Sequence, residues 1–125
     1  VELACPEWVR IVENKEENTP EAIEKIKSKL NEMLLCNPDK IILGCTHYPF
    51  LLKQLSAMCD ESKFINPAVA FAQFIKEDLI ARNMHTDFSG KGQDIFYASA
   101  AVDKFIAAGS LFYDLSYSKV ELIHL

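Results

Sequence analysis

The sequence predicts an α/β chain, a parallel sheet flanked by helices, and three observations carry that reading. Short apolar, β-branched runs alternate with longer amphipathic segments, the order that builds strand-helix-strand units. The run Lys40-Ile41-Ile42-Leu43, bounded by Asn37-Pro38-Asp39 and by Gly44, is apolar as in a buried parallel strand. The chain has 125 residues, 50% of them hydrophobic, enough for one ordinary domain with a real core.

Taken in order, residues 1–4 (Val1-Glu2-Leu3-Ala4) read as a strand running into Cys5-Pro6. A short helix or turn carrying Trp8, Val9, Ile11 and Val12 follows, then a polar loop over 13–18. Thr19 is placed to cap a strong helix with Pro20 in its first turn, and Ile23, Ile26, Leu30, Met33 and Leu34 fall on one face. After the strand at 40–43, Pro49 suits the first position of a helix, because its missing N–H is one of the unpaired donors there anyway. Phe50, Leu51, Leu52, Leu55 and Met58 supply that helix with an apolar stripe.

Lys63-Phe64-Ile65 reads as a short strand, and Asn66-Pro67 opens a helix whose apolar positions Val69, Phe71, Phe74, Ile75 and Leu79 are expected in the core. A polar, glycine-bearing loop over 83–93 leads to a strand at Ile95-Phe96-Tyr97. A helix over about 100–108 is expected to end at Gly109 as a left-handed cap, and a last strand covers 119–124. The chain opens on Val1 rather than Met and runs straight into an apparent strand, so it reads as a piece of something longer.

Charge and composition narrow the function classes. With a net charge of -5 and no stripe of lysine or arginine, nucleic acid is not an expected partner, and the Glu-Lys mixture between Glu21 and Lys29 reads as a solvated helix face. No apolar run is long enough to span a bilayer and no segment resembles a signal peptide, so the expectation is a soluble, cytoplasmic protein without membrane partners. Four cysteines, Cys5, Cys36, Cys45 and Cys59, are read as reduced thiols, with Cys36 and Cys59 as packing residues. A metal centre is not expected, because Cys45 and His47 make only two ligands and no Cys-x-x-Cys pair supplies the rest. His85 and His124 read as surface residues.

The stretch Gly44-Cys45-Thr46-His47-Tyr48-Pro49 puts a thiol between an apolar strand and a helix start. Cysteine after such a run is usually a small buried hydrophobe. Thr46 and His47 weigh against that reading, since both are poor core residues and the carboxyl edge of an open α/β sheet is where ligands bind. The positive end of a following helix would favour thiolate and would hold a substrate carboxylate.

The run Ile41-Ile42-Leu43-Gly44-Cys45-Thr46-His47-Tyr48-Pro49 resembles the second catalytic-cysteine motif of glutamate racemases, members of the aspartate/glutamate racemase superfamily. Ala4-Cys5-Pro6 with Val9, Val12 and Glu13 resembles the family's Ala-Cys-Pro segment, which ends in a Val-Glu pair. His47 points to the glutamate branch, because aspartate racemases usually carry glutamate at that place.

The resemblance implies a racemase-like fold of flavodoxin- and Rossmann-type layers, with residues 1–63 forming most of one lobe and 64–125 the tail of the other. It implies racemisation without a cofactor, in which one thiolate removes the α-proton of glutamate and a thiol on the opposite face returns one. By resemblance Cys45 is the thiol facing L-glutamate, His47 assists its proton transfer, Glu13 orients the histidine, and Thr46 binds the substrate carboxylate. The product of such an enzyme serves peptidoglycan. The family's Asp-Ser segment and its first cysteine, followed by Asn-Thr, have no counterpart here, so the chain by itself is expected to be inactive, to need a missing N-terminal half, and to self-associate. Ile65-Asn66-Pro67 and Tyr97-Ala98-Ser99-Ala100 also depart from the family's Ile-Asp-Ser segment and Thr-rich turn. The rival readings are a non-catalytic ligand-binding or interaction domain with the same fold and, more remotely, a thiol redox protein.

Overall fold

The computed structural model describes residues 1–86, 89–90, 92–110 and 112–124, the side chain of Tyr117 excepted. The chain divides into two compact units, Val1–His85 and Thr86–Leu125.

In the first unit, helix α1 (Pro6–Glu13) starts on a proline and buries Trp8, Ile11 and Val12. Helix α2 (Pro20–Leu34) is capped as expected: the Thr19 hydroxyl accepts the Ala22 N–H at 3.2 Å, which satisfies one of the four unpaired donors of the first turn. Its buried stripe is Ala22, Ile26 and Leu30, with Met33 and Leu34 at the margin of the core. Strand β1 (Ile41–Ile42) pairs in parallel with β2 (Phe64–Ile65), Ile41 opposite Phe64 and Ile42 opposite Ile65. The Leu43 N–H extends the ladder by one bond to the Ile65 carbonyl, 2.9 Å away. Between the strands lie a 3-10 turn (Tyr48–Leu51), helix α3 (Leu52–Ser56) and a 3-10 turn (Glu61–Lys63) capped by Asp60. Leu43, Leu51 and Leu55 from this stretch join Trp8, Ile26 and Leu30 in one core. Helix α4 (Pro67–Ala81) follows β2, its first turn capped by the Asn66 side chain.

Several expectations are corrected. Residues 1–4 form no strand, and a cavity of about 730 Å³ is bordered by them and by β1. The strand at 40–43 is buried on one face only: Leu43 is sealed, whereas Ile42 keeps 66% of its surface and its partner Ile65 keeps 41%. Alternation along the pleat sends those two isoleucines away from the core. Glu13 closes α1 instead of opening a loop. The helix expected after Pro49 is a four-residue 3-10 turn followed by a five-residue α-helix, so the dipole invoked beside Cys45 is short. The apolar positions of α4 are not core: Val69, Phe71, Phe74 and Ile75 are exposed, with Phe71 and Phe74 stacked on each other at 6.4 Å. Cys36 is exposed rather than packed, while Cys59 lies against the core.

In the second unit, strands β3 (Ile95–Ala98) and β4 (Lys119–Leu122) pair in parallel across helix α5 (Val102–Gly109). Phe96 packs against Phe105 and Tyr113, and the Tyr113 hydroxyl donates to the Asp94 carboxylate at 2.6 Å. Donating that hydrogen bond holds the Tyr113 phenol above its ordinary pKa, and the negative charge of Asp94 adds to the effect. Gly109 belongs to the helix and has no positive φ, which corrects the left-handed cap expected there. The left-handed residue is Ala101, at φ 48°, just before the helix. The last strand stops two residues short of the expected end. Of the loop expected over 83–93, residues 87, 88 and 91 lie outside the described residues. His85 and His124 are exposed, and among the described residues no helix is long and apolar enough to cross a membrane.

Candidate active site

Beyond β1 the backbone turns at Gly44, and a Cβ there would meet nothing within 4 Å. The turn is held by the Tyr48 N–H donating to the Cys45 carbonyl and the Phe50 N–H donating to the His47 carbonyl, both at 3.1 Å. Buried residues flank it, Leu43 before and Leu51 after. Between those anchors Cys45 and His47 are half-buried and Thr46 is exposed. The thiol is therefore neither sealed in hydrocarbon nor free in solution.

The imidazole of His47 bridges two groups. Its Nδ1 lies 3.9 Å from the Cys45 Sγ, within reach of a sulfur hydrogen bond, and its Nε2 lies 3.4 Å from the Glu13 Oε1. Glu13 is the last residue of α1, so a helix that begins at Pro6 delivers a carboxylate to a loop more than 30 residues later in the chain. A carboxylate thus faces one ring nitrogen and a thiol the other, with the imidazole between them. The four residues singled out from the sequence, Glu13, Cys45, Thr46 and His47, are thus brought together.

Thr46 has a partner that its sequence position did not suggest. Its hydroxyl lies 3.4 Å from the same Nδ1 that faces the thiol. A ring nitrogen forms one good hydrogen bond in the plane of the ring, so the hydroxyl and the thiol compete for it.

A cavity of about 270 Å³ opens beside the thiol, lined by Leu43, Gly44, Cys45 and Thr46 on one side and by Asn66, Pro67, Ala68 and Phe71 on the other. Its walls are mostly apolar, with Cys45, Thr46 and Asn66 as the residues that carry polar side chains, the usual character of a small-molecule site. Among the described residues no group of three His, Cys, Asp or Glu side chains gathers in a way that would hold a metal ion.

The sequence reading missed Tyr48. Its hydroxyl accepts the backbone N–H of Cys5 at 3.1 Å, and its ring meets Trp8 edge-on with centroids 5.2 Å apart. Burial raises the Tyr48 phenol above its ordinary pKa, and burial likewise raises the Cys5 thiol. No local signal announces this contact, because the two partners are 43 residues apart.

The chain is similar to glutamate racemases in both sequence and structure. Glutamate racemase of Thermoanaerobacter sp. (strain X514) is 31% identical over 110 residues, covering 86% of this chain and 41% of that relative. Glutamate racemase 1 of Caldanaerobacter subterraneus subsp. tengcongensis is 33% identical over 110 residues, and that of Roseiflexus sp. (strain RS-1) 36% over 91. A crystal structure of glutamate racemase from Thermus thermophilus in complex with β-chloro-D-alanine superposes with a TM-score of 0.82 at 26% identity, covering 98% of this chain and 46% of that one. No protein-family model matches the chain. The chain spans about two fifths of the length of the curated relatives it matches. By sequence and by fold, it belongs to the glutamate racemase family.

Proposed function

We propose that this chain supplies one of the two proton-transferring thiols of a cofactor-independent glutamate racemase, working together with the part of the enzyme that its relatives carry outside the span matched here. The observation that carries the reading is the Glu13–His47–Cys45 relay, 3.4 Å and 3.9 Å across its two contacts, at the edge of a half-open cavity. In this reading residues 1–125 are the C-terminal portion of the enzyme, 1–63 supplying most of one lobe and 64–125 the tail of the other. The reaction runs in the cytoplasm and furnishes D-glutamate for peptidoglycan.

The α-proton of an amino acid is weakly acidic, so a base must stand close to it and the carbanion must be held away from water. Cys45 as thiolate removes the α-proton of L-glutamate and becomes a thiol. A thiol on the opposite face, from the complementing polypeptide, protonates the carbanion to D-glutamate. In the reverse direction Cys45 is the acid and His47 returns its proton, with Glu13 steadying the imidazolium. Thr46 binds the substrate carboxylate through its backbone N–H and releases Nδ1 to the thiol when its hydroxyl turns to the substrate. The relative bound to β-chloro-D-alanine supports an amino-acid ligand of D configuration in this fold.

The test is solvent deuterium exchange at the α-carbon of glutamate, with this chain joined to or mixed with the missing portion. The intact assembly exchanges and racemises, and Cys45→Ser abolishes racemisation. Racemisation that survives the substitution removes Cys45 from its role. A second reading is a non-catalytic ligand-binding or interaction domain with a racemase fold. An upstream coding sequence that lacks the Asp-Ser and Cys-Asn-Thr segments would decide for it.

A further inference from the structure

The imidazole of His47 is held by weak contacts. Its partner Glu13 keeps 59% of its side-chain surface in solvent and His47 keeps 32%. An ion pair so exposed contributes little and cannot by itself fix a loop. The shared core of Trp8, Ile11, Val12, Leu43 and Leu51 holds α1 against this stretch but is non-directional, so a further contact must fix the register of α1 and the turn 45–48.

The adjacent residue does so. Tyr48 engages the N-terminal end of α1, where Cys5 is the cap residue and its side chain makes no capping bond. The Tyr48 hydroxyl takes the Cys5 N–H, and the ring lies edge-on to Trp8, which is 2% exposed. His47 engages the other end of the same helix, at Glu13. Two consecutive residues therefore reach both ends of a helix about 12 Å long, and two separated attachments fix its rotation as well as its position. The Tyr48 end is the buried one, so it governs.

We propose that Tyr48 is a positioning residue, whose hydrogen bond to the Cys5 backbone sets the Glu13–His47–Cys45 geometry. The inference rests on the reading of Cys45 as a reactive thiol paired with His47, but not on glutamate as its substrate. Tyr48→Phe keeps the ring and removes the hydroxyl, so the core is spared.

The test is the rate of Cys45 alkylation by iodoacetamide at neutral pH, read at that site by peptide mass spectrometry, in wild type, Y48F, H47Q and the double variant. The reactive species is thiolate, which an aligned imidazole favours. Y48F is expected to slow alkylation by up to about fivefold, the factor by which losing one ordinary hydrogen bond shifts the aligned population. In the H47Q background Y48F is expected to add nothing, because coupled residues are not additive. An unchanged rate in Y48F overturns the inference. So does an equal slowing with and without His47, which would make Tyr48 a contributor to the fold only. If Y48F does not fold, amide hydrogen exchange of Cys5 in the wild type decides, since a fast-exchanging amide means that the hydrogen bond is not made. None of these readouts involves racemisation, so a failed activity test and a failed positioning test remain distinct.

Discussion

Replacing Ile42 by lysine should weaken self-association of this chain, and the size of the effect follows from the pleat of β1. A parallel sheet is normally covered on both faces. Here one face packs on the core through Ile41 and Phe64, while Ile42 and Ile65 stand as a registered pair on the other with 66% and 41% of their surfaces open. Full burial of an isoleucine side chain is worth about 1.5–3 kcal/mol, so roughly 1–2 kcal/mol is unrealised at Ile42. A second copy that covers this face recovers that amount, and a lysine there forfeits it. The dissociation constant should rise roughly 5- to 30-fold. Sedimentation equilibrium of wild type and I42K over a range of concentrations measures it directly. The stability of the monomer should change by less than about 0.5 kcal/mol, because an exposed side chain has little packing to lose. Equal association in the two proteins would refute the reasoning and shift attention to the strand edges, where backbone groups alone can pair.

Two further outcomes test the core and the thiols. Leu55→Ala, at a fully buried position between α2 and the site, should cost about 2–5 kcal/mol in urea unfolding, with the lower value if α3 closes over the cavity. Cys5, buried with its thiol raised above the ordinary range, holds its proton more tightly folded than unfolded, so its contribution to stability is complete below about pH 8.5 and fades above it. A Cys5→Ala variant whose stability falls just as steeply between pH 8 and 10 would show that another group governs that range.

Features that depend on neighbours in sequence were legible before any coordinates. Thr19 before Pro20 and Asn66 before Pro67 announced helix starts because a capping bond spans only two or three residues. The Gly44–Pro49 motif marked the site for the same reason, its chemistry being concentrated in consecutive side chains. The family assignment rested on that motif and on Ala4-Cys5-Pro6, and the relatives bear it out.

What the linear pattern left open is which apolar residues find a partner. Val69, Phe71 and Phe74 have the composition of a core stripe, yet they stand exposed, because periodicity says which residues share a face and not whether anything packs on it. Val1–Ala4 has the composition of a strand but lies across a cavity from β1, and a strand exists only where a second one hydrogen-bonds to it.

The sequence by itself determined the α/β class, the two capped helices and which motif carries the candidate thiol, since each is set by residues within a few positions of one another. Only the tertiary structure decided that Glu13 meets His47, that Thr46 competes with Cys45 for one ring nitrogen, and that Tyr48 clasps the far end of α1. The first and last of those contacts close loops of tens of residues, settled by how α1 docks on the core, while the competition at Nδ1 is local but depends on side-chain rotamers that residue order does not set.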